Sequence, residues 1–292
     1  SKLSSDFQVN YIEPTDQGFS ADEMKDNLSN ATIAIIGDDE INDNVLSNSH
    51  DLKLLIKWGV GTDNIDIESK DTHTNLQIFN SPADIHIDVA EHVIFLIGSL
   101  YKKIPFIHNQ IKEEAKWSKP IGTRLYGKNV GIIGYGSIGK QVSKLLNSFS
   151  SNVYFYDPNV EEMQTKYAEK KNLEYIQTNS QVIIISTSLN SQTNQLINKK
   201  FFDSLKTAPI LVNISRGKII NENDLVSALK NKQLSGCALD VFEKEPISNT
   251  SRLKMFENVI FSSHNASNTI EANNSVNQQV TDTLLKWISE QN

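Results

Sequence analysis

Arg216, Asp240, Glu245 and His264 each follow a short apolar run in the second half of the chain. Histidine exchanges a proton near neutral pH, and a carboxylate beside it favours the imidazolium. A guanidinium binds a carboxylate through two parallel contacts. Together these groups suit hydride transfer to a 2-oxoacid, whose carbonyl oxygen needs a proton donor in the reaction. On spacing alone, the carboxylate partner of His264 is either Asp240 or Glu245.

A glycine-rich turn stands between an apolar run and a helix-like stretch. Residues 130–139 read VGIIGYGSIG, so Gly134, Gly136 and Gly139 occupy the glycine positions of a G-x-G-x-x-G pattern. The first glycine permits a sharp turn, and the second lets the backbone approach a pyrophosphate at the helix N-terminus. The third allows the helix to pack closely on the strand. The pattern and its flanks predict a dinucleotide-binding turn.

The apolar run that follows this turn ends in an acid, Asp157. A carboxylate at this place accepts both ribose hydroxyls of adenosine and repels a 2′-phosphate. Because no arginine follows directly, the sequence predicts NAD rather than NADP as the cofactor.

Short apolar runs alternate with helix-like stretches along most of the chain. Several runs, such as 182–185, are apolar throughout, as in strands that are buried on both faces of a parallel sheet. The alternation predicts an α/β architecture. A long helical pattern over 87–101 is expected to be a hinge helix, and another covers 271–289. The runs lie at residues 33–37, 53–58, 76–80, 130–134, 153–157, 182–186, 210–214, 237–242 and 259–261.

Length and charge limit the classes of function. A chain of 292 residues predicts about two domains. The net charge of −7, from 28 basic and 35 acidic residues, disfavours general nucleic-acid binding. The single cysteine, Cys237, excludes an intrachain disulfide and indicates a reducing, cytoplasmic location. No apolar run reaches the ~18 residues of a membrane span, so no membrane partner is expected.

Ordered segments resemble the D-isomer-specific 2-hydroxyacid dehydrogenase family, which includes 3-phosphoglycerate dehydrogenase. The segments that carry the resemblance are 59–66 (GVGTDNID), 89–92 (VAEH), 125–128 (LYGK), 213–217 (NISRG) and 239–246 (LDVFEKEP). The similarity covers most of the chain, and the combined pattern is specific.

The resemblance implies an α/β fold of two doubly wound parallel-sheet domains. A Rossmann NAD-binding domain, expected at 89–267, is inserted in a flavodoxin-like substrate domain, expected at 1–88 plus 268–292. The strand and helix with which the family opens are expected to be missing before Phe7. The resemblance also implies a homodimer and no metal.

The resemblance implies catalytic roles as well. His264 is expected to be the proton donor and Glu245 its carboxylate partner, a choice that spacing alone leaves open. Arg216 is expected to bind the substrate carboxylate, together with the backbone amides of Val60 and Gly61.

Further positions are expected to touch the cofactor. Ser137 and Ile138 would cover the pyrophosphate, Ile214 would lie along the nicotinamide, and Asp240 would face the nicotinamide.

The implied activity is interconversion of a small D-2-hydroxyacid and its 2-oxoacid by an NAD-dependent oxidoreductase. Phosphoglycerate-specific members hold the phosphate with an arginine soon after the first strand of this unit. Here that place carries Asp38 and Asp39, which would repel an anion, although Lys57 and Arg124 offer positive charge elsewhere. The alternatives are 3-phosphoglycerate dehydrogenase proper and a non-catalytic NAD(H)-sensing protein, like the corepressors of this family. Formate dehydrogenases pair their histidine with glutamine, which Glu245 argues against.

Overall fold

The computed structural model describes residues 7–14, 18–66, 75–161 and 163–291. By its internal contacts the chain divides into a smaller unit, Ser1–Ser81 with Val280–Asn292, and a larger unit, Pro82–Gln279. The boundaries derived from the sequence, 1–88 plus 268–292 and 89–267, stay a prediction.

The smaller unit contains a three-stranded parallel sheet of neighbouring strands in the order β1-β2-β3. Its first helix is capped by Ser20, whose hydroxyl accepts the Glu23 N–H while the Glu23 carboxylate accepts the Ser20 N–H. Such a capping box satisfies backbone donors that an isolated helix end leaves unpaired. The elements are α1 (Ala21–Leu28), β1 (Ile33–Ile36), α2 (Asp43–Asn48), β2 (Leu54–Lys57) and β3 (Gln77–Asn80).

The larger unit is built on seven strands, with helices between them. Short 3₁₀ helices cover Gly217–Ile219 and Arg252–Met255. The last helix of the described residues starts in the larger unit and ends in the smaller one. The elements are α3 (His86–Lys102), α4 (Ile104–Glu114), β4 (Asn129–Ile133), α5 (Ser137–Asn147), β5 (Asn152–Tyr156), β6 (Glu169–Lys170), α6 (Leu173–Asn179), β7 (Val182–Ile185), α7 (Lys199–Asp203), β8 (Ile210–Asn213), α8 (Glu222–Lys230), β9 (Gly236–Leu239), β10 (Val259–Phe261) and α9 (Ile270–Gln291).

The seven strands are all parallel, in the order β10-β9-β8-β7-β4-β5-β6. The chain runs outward from β4 in one direction and then returns to continue from β7 in the other. This is the doubly wound Rossmann order, and ligands bind where the order reverses, at the carboxyl ends of the strands. The predicted fold class, a doubly wound Rossmann unit inserted in a second parallel-sheet unit, is confirmed.

Alternate residues of the central strands supply the two hydrophobic layers of the larger unit. Val182 and Ile184 pack into the layer that also holds α3 and α5, and Ile183 and Ile185 pack into the opposite layer. The period of two residues follows from strand geometry. Cys237 is buried in the second layer.

Every predicted apolar run overlaps a strand, and among the strands of the described residues only β6 was not predicted. Its two residues, Glu169–Lys170, form a short edge strand with no apolar signal. Among the described residues, no helix is long and apolar enough to cross a membrane.

Candidate active site

The glycine turn follows β4 at the point where the strand order reverses. Gly134 has a φ of +93°, and a β-carbon there would lie 2.5 Å from the Thr187 backbone nitrogen. Gly139 lies in the first turn of α5, where a β-carbon would lie 2.6 Å from the Gly134 carbonyl oxygen. Both positions therefore require glycine, one for its φ and both for close backbone approach.

The middle glycine has a different environment. Gly136 is the N-cap of α5, no side chain caps it, and a β-carbon there would meet no described atom within 4 Å. The space beside Gly136, at the start of the helix that begins with Ser137 and Ile138, is therefore open. An uncapped helix N-terminus with free approach fits a pyrophosphate.

Asp157 stands directly after β5, beside the glycine turn. Its Oδ2 accepts the Tyr135 N–H at 2.7 Å, and its Oδ1 accepts the Asn159 N–H at 2.9 Å. Each carboxylate oxygen has a further lone pair, so these contacts orient the group and leave acceptor capacity for ribose hydroxyls.

Tyr135 is a structural part of the turn that sequence reasoning did not identify. Its ring stacks on Phe155 with centroids 3.9 Å apart, and its hydroxyl lies 2.9 Å from both Ser143 Oγ and Thr165 Oγ1. A buried aromatic with a satisfied hydroxyl anchors the turn to the sheet. The bare G-x-G pattern carries no signal for this contact.

His264 and Glu245 lie together at the carboxyl edge of the sheet. His264 Nδ1 is 2.8 Å from Glu245 Oε2, and Glu245 Oε1 accepts the Phe242 N–H at 2.8 Å. His264 has a φ of +53° and donates its backbone N–H to the Asp240 carbonyl oxygen at 2.7 Å. The contact made by the imidazole is therefore with Glu245, the partner that the resemblance implied.

Asp240 makes a different set of contacts, because it is only 1% exposed. Its Oδ1 accepts the Asn265 N–H at 2.9 Å, and its Oδ2 accepts the Ala266 N–H at 3.1 Å. His92 Nε2 lies 3.6 Å from Oδ1. The carboxylate thus organises the segment after His264, and its predicted role toward the nicotinamide stays a prediction.

Arg216 follows β8 in extended backbone conformation. Its Nη1 donates to the Ser215 carbonyl at 2.9 Å. The buried Asn213 side chain accepts the Ser215 N–H at 3.1 Å and donates to the Arg216 carbonyl at 3.0 Å. Gly217 comes next and lies directly against Phe242. The loop that carries Arg216 is therefore held beside the loop that carries Glu245.

Ile214 is also in this loop. It is nearly buried and packs into the hydrophobic layer with α3 and α5. Its predicted position along the nicotinamide stays a prediction.

Val60 and Gly61 belong to the smaller unit, in the loop after β2. Asn80 Nδ2 donates to the Val60 carbonyl at 2.8 Å, and the Ser81 N–H donates to the Gly59 carbonyl at 2.9 Å. Gly59 has a φ of +116°, which favours glycine at this position. These bonds shape the loop, and its proposed contact with a substrate carboxylate stays a prediction.

The acidic residues after β1 have defined partners. Asp38 Oδ1 lies 2.9 Å from the ammonium of Lys57, a buried residue at the end of β2. The Asp39 carboxylate accepts the N–H groups of Phe19 and Gly37. Within the described ranges, no three His, Cys, Asp or Glu side chains are grouped so as to hold a metal ion.

Comparison with known proteins identifies the family. Residues 94–266 match the model of the "D-isomer specific 2-hydroxyacid dehydrogenase, NAD binding domain". D-3-phosphoglycerate dehydrogenase of Bacillus subtilis is 32% identical over 252 residues, which are 85% of this chain and 47% of that one. Glyoxylate reductase of Pyrococcus furiosus is 30% identical over 261 residues, covering 85% and 76% of the respective chains. The chain thus spans less than half the length of the Bacillus enzyme.

A solved structure agrees with this assignment. NAD-dependent formate dehydrogenase from Staphylococcus aureus, in complex with NAD, superimposes with a TM-score of 0.85 at 25% identity, covering 92% of this chain and 83% of that one. NAD, the predicted cofactor, is confirmed by the match to the family's NAD-binding domain. The chain belongs to the D-isomer specific 2-hydroxyacid dehydrogenase family.

Proposed function

We propose that this protein is an NAD-dependent oxidoreductase that interconverts a small D-2-hydroxyacid and its 2-oxoacid. The observation that carries the proposal is the 2.8 Å contact between His264 Nδ1 and Glu245 Oε2, in a unit that matches the family's NAD-binding domain. His264, Glu245 and Arg216 follow β10, β9 and β8, three neighbouring strands with their carboxyl ends on one edge. Ligands of open parallel sheets bind at this edge.

His264 would act as the general acid or base of the reaction. Because Nδ1 faces Glu245, proton exchange with the C2 oxygen of the substrate would go through Nε2. The carboxylate fixes the tautomer and favours the imidazolium form that gives a proton to a 2-oxoacid. Glu245 accepts the Phe242 N–H, and this hydrogen bond holds the carboxylate in the conformation that orients the His264 ring. Bound NAD supplies the hydride acceptor or donor.

Arg216 would bind the substrate carboxylate with its planar guanidinium and polarise the neighbouring carbonyl. The amides of Val60 and Gly61 would also hold that carboxylate. Ile214 and Asp240 would contact the nicotinamide, and the Asp157 carboxylate would accept the adenosine ribose hydroxyls.

We propose that the substrate carries no phosphate. The ammonium of Lys57 is engaged by Asp38 at 2.9 Å, so this buried cation is already neutralised. The Asp39 carboxylate, which follows Asp38 in the chain and accepts the Phe19 and Gly37 N–H groups, adds negative charge to this loop. This arrangement supports a small 2-oxoacid with an uncharged side chain over 3-phosphohydroxypyruvate.

We also propose a homodimer in the cytoplasm. Helix α4 has no buried residue, and Ile104, Trp117 and Ile121 are more than half exposed. These large apolar side chains lie near one another along the chain. Exposed apolar patches mark interaction sites, and the occupant we infer is a second copy of this chain. Sedimentation equilibrium tests this proposal. A Trp117→Lys/Ile121→Asp variant should become monomeric, and a wild-type monomer at micromolar concentration would exclude the dimer.

The activity is tested by loss of NADH absorbance with a panel of 2-oxoacids. The panel contains glyoxylate, hydroxypyruvate, pyruvate, bulkier apolar 2-oxoacids and 3-phosphohydroxypyruvate, each with NADPH in parallel. We expect turnover of an unphosphorylated 2-oxoacid with NADH. Preference for the phosphorylated compound would overturn our inference from Asp38 and Lys57. Tight NADH binding without any turnover would favour the NAD(H)-sensing alternative.

A further inference from the structure

The partly buried side chain of His92 has a buried ring nitrogen, Nε2, to which the proposed mechanism gives no role. It lies on α3, and its Nε2 is shielded from solvent and makes no hydrogen bond to any described residue. The Oδ1 atom of Asp240 lies 3.6 Å from this nitrogen. Buried polar atoms are nearly always paired, so an unpaired one at this place calls for a physical reason.

Asp240 supplies that reason, because burying a carboxylate costs free energy unless hydrogen bonds or an opposite charge stabilise it. It is 1% exposed, and each of its oxygens accepts one backbone N–H, from Asn265 and Ala266. Each oxygen has a second lone pair that a further donor can fill. Among the described residues, one titratable side chain lies within ion-pair distance of this carboxylate, and it is His92. Asp88, on the same helix as His92, accepts a hydrogen bond from the Thr269 hydroxyl at 2.6 Å.

We propose that His92 is a positioning residue whose Nε2 carries a proton and directs it at Oδ1 of Asp240. Through that carboxylate, His92 holds the segment that contains His264. The proposal rests on the proposed function, because that function gives His264 its role in proton transfer.

The connection to His264 is made of short contacts. His264 donates its N–H to the Asp240 carbonyl at 2.7 Å and has a left-handed φ of +53°. The next two N–H groups, of Asn265 and Ala266, are bound by the Asp240 carboxylate. A backbone in this sparsely populated region persists only where its surroundings over-determine it. A proton donor behind Asp240 therefore helps to keep the imidazole of His264 against Glu245.

The first test compares two variants with a control, in steady-state turnover of the panel substrate with NADH. His92→Leu removes the donor, whereas His92→Gln keeps an N–H group close to the Nε2 position. We expect His92→Leu to lower kcat roughly tenfold while the substrate KM changes little, and His92→Gln to restore most of kcat. His50→Leu, at an exposed histidine of the smaller unit, should match the wild type. A wild-type kcat in His92→Leu, or a glutamine variant no better than leucine, overturns the proposal.

The second test is independent of turnover, and its readout is taken on the wild-type protein. The ¹⁵N signals of the histidine rings are recorded for the wild-type protein with NADH, with His92 assigned by the signal missing in His92→Gln. We expect a protonated Nε2 for His92. A bare Nε2, with the proton on Nδ1, overturns the positioning role even if the enzyme turns over. A protonated Nε2 in a protein without turnover supports the contact with Asp240 while the proposed function fails.

Discussion

Gly217 and Phe242 meet backbone to backbone. A β-carbon on Gly217 would lie 1.8 Å from the carbonyl carbon of Phe242 and 1.9 Å from its oxygen. The residue before this glycine is Arg216, and the Phe242 N–H binds Glu245. The approach of two loops within the larger unit is therefore fixed at a point where only glycine fits.

Gly217→Ala should separate these loops. Overpacking a rigid backbone contact costs about 3 kcal/mol or more, because neither backbone is free to move aside cheaply. We expect a lower urea midpoint and a strong loss of kcat/KM. Gly98→Ala is the matched control, since a β-carbon on that helical residue meets no described atom within 4 Å. The control should differ by less than about 1 kcal/mol from wild type. Equal stability of the two variants would contradict this account.

Arg216→Ala should raise the substrate KM and lower kcat. The guanidinium is proposed to bind the substrate carboxylate and polarise its carbonyl, so kcat/KM should fall about a hundredfold. Arg216→Lys should recover only part of this loss, because an ammonium lacks the planar fork. An alanine variant with near-normal kcat/KM would remove Arg216 from the site.

Glu245→Gln should change the pH dependence of 2-oxoacid reduction. The carboxylate favours protonated His264, and a neutral amide does not, so the decline of the rate at alkaline pH should begin at lower pH. At neutral pH we expect a loss of kcat/KM of roughly tenfold or more. Glu257→Gln, at an exposed glutamate, serves as the control and should keep the wild-type profile. An unshifted profile for Glu245→Gln would contradict the assigned pair.

Glu222→Gln should stabilise the protein at neutral pH but not in acid. Burial, together with the carboxylate of Glu243, raises the pKa of Glu222. A carboxyl group whose pKa is higher in the folded state contributes stability at low pH, and this contribution is lost as pH rises through the folded value. Glutamine keeps the acceptor for the Glu243 N–H, a 2.8 Å bond in the wild type. Because the group is half exposed, the gain should stay below about 1 kcal/mol.

Urea unfolding at neutral pH and at about pH 4 measures this difference, since an unperturbed glutamate titrates near the lower value. The same change in stability at both pH values would show that the charge of Glu222 is not the cause.

Cys237 should be unreactive in the folded protein. Burial raises the pKa of its thiol, so the nucleophilic thiolate is scarce. It is the single cysteine of the chain, so a disulfide reagent such as DTNB reports on it alone. We expect release of the chromophore only after denaturant is added. Fast stoichiometric reaction under native conditions would show that β9 opens readily.

The strands were predictable where burial on both faces produced apolar runs, as at Val182–Ile185. The glycine turn was predictable because Gly134 needs a positive φ and close backbone approach, which few other residues tolerate. The short strand Glu169–Lys170 was not predicted, because two polar residues at a sheet edge show no hydrophobic periodicity.

Contacts between segments that are distant along the chain could not be predicted from the sequence. Asp38 and Asp39 were expected to repel an anion, and their spacing did not indicate their partners. Asp38 binds Lys57, and Asp39 binds two backbone amides. His92 lies on a helix far along the chain from Asp240, and nothing in its spacing indicates the contact. Spacing also left Asp240 and Glu245 as equal candidates, because only the folded loops decide which carboxylate reaches an imidazole.

The route of the chain through its two units sets the order in which they are completed during translation. Residues Pro82–Gln279 are continuous, whereas the unit of Ser1–Ser81 includes Val280–Asn292, which emerge from the ribosome later. Domains fold as units during synthesis. A nascent chain thus holds the whole NAD-binding unit while its earlier segment still lacks the final turns of α9. The segment of the smaller unit that precedes the NAD-binding unit in the chain is therefore completed only after that unit has been synthesised.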